Sequence, residues 1–279
     1  MQRNTTTAAP GSPLPTAEPG VQSSRSTQLN IPQPTVPVCI PARWAASRFP
    51  GKLLQRLGHG TVLSHTIARA SAKAPGPVIV LADDHRIAEE ARRTGCSFRL
   101  IKGPFRNGSE RIAGALEAGL LGELPEYIIN VQGDAVGLPE EAAAQCLEAL
   151  LQDPAASLAS CAVSAPHAQH HGRTTVRIKN GRAESFSRQP LNPGPTASSD
   201  LLLHIGVYAY RTAALLELAR RTPGPLELSE SLEQLRWLEN QHHIAIRVLD
   251  EVPAAALAID RPHDLRFHQE LGGSQTESN

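Results

Sequence analysis

The sequence has no surplus of charge, since Lys plus Arg and Asp plus Glu number 27 each. That removes the global basic field of a nucleic-acid-binding protein, so any anion site must be built locally and the partner is a small molecule. There is no CxxC pair. The four cysteines, Cys39, Cys96, Cys146 and Cys161, are widely spaced, which favours reduced thiols in a cytoplasmic protein over a disulfide frame or a zinc site. No apolar run suggests a membrane span. Aromatic residues are few, at 4%, while 41% hydrophobic and 19% charged residues are ordinary for a globular chain of 279 residues. The phosphate-binding pattern GxxxxGK(S/T) is missing too.

Residues 1 to 35 are rich in Pro, Ser, Thr, Gln and Gly and lack both an apolar core segment and the basic start of a secretory signal. This composition predicts a disordered tail. A single domain is expected over 36–270, with a flexible C-terminus over 271–279.

From Val36 onward, apolar runs alternate with helical periodicity, as βα units of a mostly parallel sheet require. Val38–Ile40, Pro77–Ala82, Ser97–Ile101 and Tyr127–Val131 read as strands, the last ending in the turn Gln132-Gly133-Asp134. Between them, Leu63, Ile67 and Ala70, then Ile112, Leu116 and Leu120, have helical spacing, and Cys146, Leu147 and Leu150 continue it after the fourth strand. Asp83-Asp84 can cap one helix, and Asn107 with Glu110 resembles a capping box for the next. The second half changes character. Thr174–Ile178 and Arg182–Phe186 flank Asn180-Gly181, a two-residue hairpin signal, and read as an insertion into the sheet. A strand over Leu201–Tyr210, helices near Thr212–Arg221 and Leu228–Asn240, a strand over Ile244–Val248 and a helix after Pro262 complete the expectation.

Ligands of open α/β sheets bind beyond the carboxyl ends of the strands. The first strand empties there into "ARWAASRFPGK", where Arg43, Arg48 and Lys52 supply cations and Gly51 leaves room for a close backbone approach. Such a loop suits a triphosphate or is an ordinary solvated turn. Asp134, leaving the fourth strand, and Asp260, in "LAIDRPHDL", are hard carboxylates fit for a divalent metal or, separately, for a turn and a helix cap. His204 and Tyr208, four apart on one strand, share a face. His167, His170 and His171 lie in a polar stretch without acidic partners and read as a solvated loop.

Together, "IPARWAASRFPGKLL", "NGSERIA", "NVQGD", "FSR", "HIGVYAYR", "PLELSESLEQLR" and "IDRPHDL" resemble the 3-deoxy-manno-octulosonate cytidylyltransferase family in order and spacing, over about Val36 to Leu265. The resemblance implies a nucleotidyltransferase-type α/β fold with a mostly parallel sheet flanked by helices, and an inserted hairpin region that serves dimerisation. It also implies a homodimer and transfer of CMP from CTP to the anomeric hydroxyl of a Kdo-like sugar acid with Mg2+. Carried over by position, Arg43, Arg48 and Lys52 hold the triphosphate, and Ser109 and Arg111 lie on the nucleotide side. Asp134 and Asp260 bind the metal. Gln132, Arg188, His204, Tyr208, Glu233 and Gln234 line the sugar pocket. Arg43, Lys52, Asp134 and Asp260 form the expected catalytic set. Two departures fall beside the metal, because the family has Glu-Pro where Ala135-Val136 stand and Gly-Val-Asp-Thr where Ala258-Ile259-Asp260-Arg261 stand. Both make the local field less negative. The alternative reading is a weakened relative that binds nucleotide or a partner protein without turnover.

Overall fold

Strand β1 (Val38–Ala42) leads through a 3-10 turn (Lys52–Leu54) and a small hairpin, β2 (Arg56–Leu57) and β3 (Gly60–Thr61), into helix α1 (Val62–Ala72). β4 (Val78–Ala82), α2 (His85–Arg93), β5 (Ser97–Leu100), α3 (Gly108–Glu117) and β6 (Tyr127–Val131) follow in alternation. These elements come from a computed structural model that describes Met1 and residues 35–45, 49–164, 173–188, 201–250, 259 and 262–274. The chain divides into Met1–Pro34 and Thr35–Asn279, and the elements all belong to the second unit. Apart from Met1 and Thr35, the segment expected to be a tail lies outside the described residues, as do the three histidines of 167–171.

Local chemistry starts the helices. The side chains of Thr61, Asp84 and Asn107 accept from the backbone N–H groups of Ser64, Arg86 and Glu110, satisfying donors that a first helical turn leaves over. The Asn107 box is closed on one side only, because the Glu110 carboxylate turns to the Arg106 N–H and the Arg236 guanidinium.

β1 pairs in parallel with β4 and β6, and β4 with β5, giving the order β5-β4-β1-β6. The chain thus works outward from β1 on one side and then returns to its other side. Such a reversal opens a crevice between the carboxyl ends of the two strands that flank it, here β1 and β6. Alternation along β1 feeds two cores: Val38, Ile40 and Ala42 join Leu63, Ile67 and Ile87 of α1 and α2, while Cys39 joins Ile112 and Leu116 of α3.

The rest of the chain is α4 (Ala142–Gln152), β7 (Ala156–Val163), β8 (Thr175–Lys179), β9 (Arg182–Ser187), β10 (Leu201–Arg211), α5 (Thr212–Ala219), α6 (Pro225–Glu230), α7 (Leu235–Glu239), β11 (His243–Leu249) and α8 (Pro262–Ser274). The strands complete a nine-stranded mixed sheet, β5-β4-β1-β6-β10-β7-β11-β9-β8, in which β10 is antiparallel to both β6 and β7. β10 also pairs with β8, so β10, β7, β11, β9 and β8 close into a ring of paired strands. The hairpin turn is as the sequence predicts, with Asn180 and Gly181 both at positive φ, 51° and 75°. It is part of this sheet.

Several elements differ from expectation. β7 has no counterpart in the sequence reading, because its run ASLASCAV is made of small residues with little β signature. The helix expected over Leu228–Asn240 is two helices, broken at Ser231 with φ 54°. The break folds α6 back on α7, so that Glu227 receives both Arg236 Nε and Nη2 at 2.6 Å. α8 runs to Ser274, past the boundary set at residue 270.

Candidate active site

At the crevice, Gly51 adopts φ 68° and opens the 3-10 turn that carries Lys52. A Cβ on Gly51 would stand 3.0 Å from the Trp44 ring, so glycine is needed both for its conformation and for its lack of bulk. Leu53 is buried, and its methyl groups pack 3.2 to 3.5 Å from where a Cβ on Gly133 would stand. That packing brings the chain after β1 against the chain after β6, and the Lys52 ammonium bonds the Asp134 carboxylate. Nζ of Lys52 also donates to the Ile259 carbonyl at 2.8 Å, and the Ile259 N–H donates to the Asp134 carbonyl at 3.2 Å. Ile259, the residue before Asp260 in the sequence, is therefore tied by its backbone to Asp134 and Lys52. Thr66, on α1, holds the turn from behind by donating to the Gly133 carbonyl at 3.0 Å.

Asp83 braces the same edge. Its carboxylate accepts from the Trp44 N–H at 2.9 Å and lies 3.5 Å from Arg111 Nη2. The Arg111 guanidinium is buried, donates to the Ile101 carbonyl at 2.9 Å and lies over Phe105. Burial pulls its pKa down, against the opposing attraction of Asp83. Arg43 is exposed and reaches the Arg106 carbonyl at 3.4 Å.

Beside the crevice, a cluster of polar side chains, called the pocket below, joins β6 and β10 to the start of α3 and the residues just before α7. Glu233 accepts from the Ser109 N–H at 3.3 Å and from Gln132 Nε2 at 3.2 Å. Burial raises its pKa, with the Ser109 N–H acting in the other direction. The Ser109 hydroxyl meets Tyr210 Oη at 2.8 Å, and Asn130 Nδ2 approaches the same phenol at 3.4 Å. Tyr208 donates to Gln234 Oε1 at 3.3 Å, and burial raises both tyrosine pKa values well above the usual range. Phe186, His204, Tyr208, Tyr210 and Trp237 form a continuous row with neighbouring ring centroids 5.1 to 5.9 Å apart. Arg188, the residue after β9, donates its backbone N–H to Glu230 at 3.0 Å.

The profile of the Cytidylyltransferase family matches residues 38–244. The 3-deoxy-manno-octulosonate cytidylyltransferase of a Chelativorans species is 32% identical over 253 residues, covering 86% of this chain and 98% of its own length. The enzyme of the same name from Anaeromyxobacter dehalogenans is 37% identical over 239 residues, covering 82% and 94%. The chain belongs to the 3-deoxy-manno-octulosonate cytidylyltransferase family. A solved CMP:2-keto-3-deoxy-manno-octonic acid synthetase complexed with CTP superposes with a TM-score of 0.76 at 25% identity, over 87% of this chain and all of that one. A cytidylyltransferase from Leptospira borgpetersenii shares the fold, with a TM-score of 0.58 at 15% identity. Family membership makes the chain a cytidylyltransferase, an enzyme rather than a binding-only relative.

Within this family frame, the structure brings Lys52 to Asp134 and gathers Gln132, Ser109 and Glu233 into one hydrogen-bonded group. Ser109, expected on the nucleotide side, bonds Glu233 and Tyr210, so it links the crevice to the pocket. Arg48 and Asp260 lie outside the described residues. At the departures from the family, Ala135 and Val136 are each 7% exposed and belong to the apolar core, so the turn after Asp134 is packed rather than charged. Asn130 and Tyr210 were not singled out in the sequence, and Asp83 was read only as a helix cap. Tyr210 had a readable signal, since it stands two residues after Tyr208 and shares its strand face. The others act through distant partners.

Among the described residues no group of three or more His, Cys, Asp or Glu side chains gathers to hold an ion. One carboxylate at a strand end is nevertheless the donor set that suits a magnesium ion, which keeps its waters and takes most other ligands from substrate phosphates. No helix among the described residues is long and apolar enough to cross a membrane.

Proposed function

We propose that the chain transfers CMP from CTP to the anomeric hydroxyl of 3-deoxy-manno-octulosonate. The new bond joins the sugar oxygen to the α-phosphorus, the α–β phosphoanhydride bond breaks, and pyrophosphate leaves. The observation that carries this reading is the meeting of Lys52, Asp134 and the Ile259 backbone at the β1–β6 crevice, next to the pocket of Gln132, Glu233, His204 and Tyr208. Phosphoryl transfer needs positioning and charge neutralisation more than covalent chemistry.

In this reading Arg43, Arg48 and Lys52 hold the triphosphate, Ser109 and Arg111 lie on the nucleotide side, and Asp134 with Asp260 would hold Mg2+. Bound there, the ion would neutralise charge developing on the phosphates. Before substrate arrives, the Lys52 ammonium compensates the half-buried Asp134 carboxylate, with side-chain exposures of 13% and 15%, so neither charge is left uncompensated. Gln132, Arg188, His204, Tyr208, Glu233 and Gln234 bind the sugar acid. A cytoplasmic location fits the four free cysteines. A homodimer, expected from the resemblance, is checked by sedimentation.

The decisive experiment is pyrophosphate release from CTP with a panel of octulosonates and nonulosonates, with mass analysis of the product and titration of Mg2+ against a chelator. Release with the octulosonate alone and with Mg2+ supports the reading. Absence of release with every acid overturns it.

A further inference from the structure

Strand β10 carries an irregularity next to the pocket. His204 and Ile205 pair with Ala162 and Cys161 of β7, yet the next pair is Tyr208 with Ser160, so Gly206 and Val207 are extra residues in the ladder. A bulge of this kind strands backbone groups and re-aims side chains. Ser160 is fully buried, and its hydroxyl lies 2.7 Å from the Val207 carbonyl, 3.3 Å from the Ile205 carbonyl and 2.8 Å from His204 Nε2.

A serine hydroxyl has one proton. Carbonyl oxygens only accept, and an oxygen at 2.7 Å without a proton between would be repulsive, so that proton belongs to Val207. His204 Nε2 then meets a lone pair of the serine oxygen and must itself carry hydrogen. The ring is neutral at physiological pH, because burial pulls its pKa down to about 3. Its other nitrogen, Nδ1, is consequently a bare acceptor, with no hydrogen bond from any described residue. Phe186 and Tyr208 fix the plane of the ring, with centroids 5.1 and 5.5 Å away.

We infer that Ser160 is a positioning residue that locks His204 as the Nε2–H tautomer, so that Nδ1 accepts a hydrogen bond from a hydroxyl of the sugar acid and disfavours its carboxylate. This rests on the proposed function for the placement of the sugar, while the tautomer itself does not. A carboxylate would face Nδ1 lone pair to lone pair, whereas a hydroxyl donates to it. The bulge therefore does two things with one side chain, satisfying a freed carbonyl and setting which end of a polyhydroxy acid faces the imidazole.

The test begins with the unaltered full chain labelled with 15N-histidine, where the shifts of the His204 ring nitrogens report the tautomer at pH 7. The Nε2–H form is expected, and the Nδ1–H form or the imidazolium overturns the proposal. Steady-state kinetics with CTP and 3-deoxy-manno-octulosonate then compare Ser160→Ala with Ser160→Thr. Ser160→Ala should raise KM for the sugar acid about tenfold, the equivalent of one net hydrogen bond, leave KM for CTP unchanged and mix the two tautomers. Ser160→Thr keeps the hydroxyl and should restore both readouts, and it carries the kinetic test if the alanine variant does not fold. Equal effects on both KM values, or an unchanged tautomer in Ser160→Ala, would assign Ser160 a merely structural role. If the unaltered chain shows the Nε2–H tautomer but turns over no octulosonate, the functional reading fails and the sugar contact with it, while the Ser160–His204 lock stands.

Discussion

At the crevice, Lys52 and Asp134 meet as full charges on the loops that leave β1 and β6. In the adjoining pocket, His204, Tyr208 and Tyr210 stand on one strand as neutral groups, each with a directed hydrogen bond. Under the proposed function, the contrast follows from what each region would meet. A triphosphate and a cation exchange large charges, so the receiving groups need compensation both before and after they bind, and a loop can supply mobile cations. A polyhydroxy acid is distinguished by where its donors and acceptors sit, which calls for rigid groups on regular structure. α3 joins the two, because Ser109 at its start bonds Glu233 and Tyr210 while Arg111, two residues further, is held by Asp83.

The strongest test of that contrast is Asp134→Asn. It keeps size and removes charge, and kcat/KM should fall by about 1,000-fold, or about 4 kcal/mol, if metal neutralisation depends on it. Pyrophosphate release across a Mg2+ titration measures this, and retention of full Mg2+-dependent turnover would break the comparison.

The Lys52–Asp134 pair is next. Lys52→Ala should weaken CTP binding and, without ligand, leave Asp134 half-buried and uncompensated. A cycle with Asp134→Asn should give a coupling of about 1 to 3 kcal/mol in unfolding free energy. Additive losses would mean that the two charges are independent.

For the pocket, pH dependence separates two groups of opposite sign. The raised pKa of Glu233 means that the folded chain holds its proton longer than the unfolded one, so its contribution is present below the ordinary value of 4.5 and is lost as pH rises through the folded pKa. Glu233→Gln should thus be as stable as the unaltered chain or more stable at pH 7, with the gain disappearing below pH 4.5, while turnover falls. His204 runs the other way. Its pKa is lowered from 6.5 to about 3, so its contribution is full above 6.5 and lost as pH falls toward 3. His204→Asn should flatten the melting temperature across that window, and parallel curves would count against a buried neutral imidazole.

The smallest effect is expected in the joining helix. Asn107→Ala removes the cap that accepts the Glu110 N–H and should cost about 1 kcal/mol of stability. Because α3 serves both regions, KM for CTP and for the sugar acid should shift together. A shift in one alone would show that Ser109 and Arg111 are held independently of the cap.

Much of this molecule is written in local pattern. Tyr127–Val131 forms a strand with the limits read from the sequence, Asn180-Gly181 turns the hairpin, and Asp84 and Asn107 cap the helices they precede. Each of these depends on residues a few positions apart, and the family strings singled out Lys52, Asp134, Gln132 and Glu233, which the fold joins as the pairs Lys52–Asp134 and Gln132–Glu233. Packing decided the rest. Lys52 and Asp134 are 82 residues apart and Ser160 and His204 are 44 apart, and no spacing rule reaches across such distances. The same holds for the break at Ser231, where the pairing of Glu227 with Arg236 overrides a helical pattern that the sequence carries without interruption. β7 was invisible for a related reason, as its small residues become a strand only between β10 and β11. Periodicity and capping are set by neighbours along the chain, whereas the tautomer of His204 and the charge partner of Asp134 are set by whichever groups the fold delivers through space.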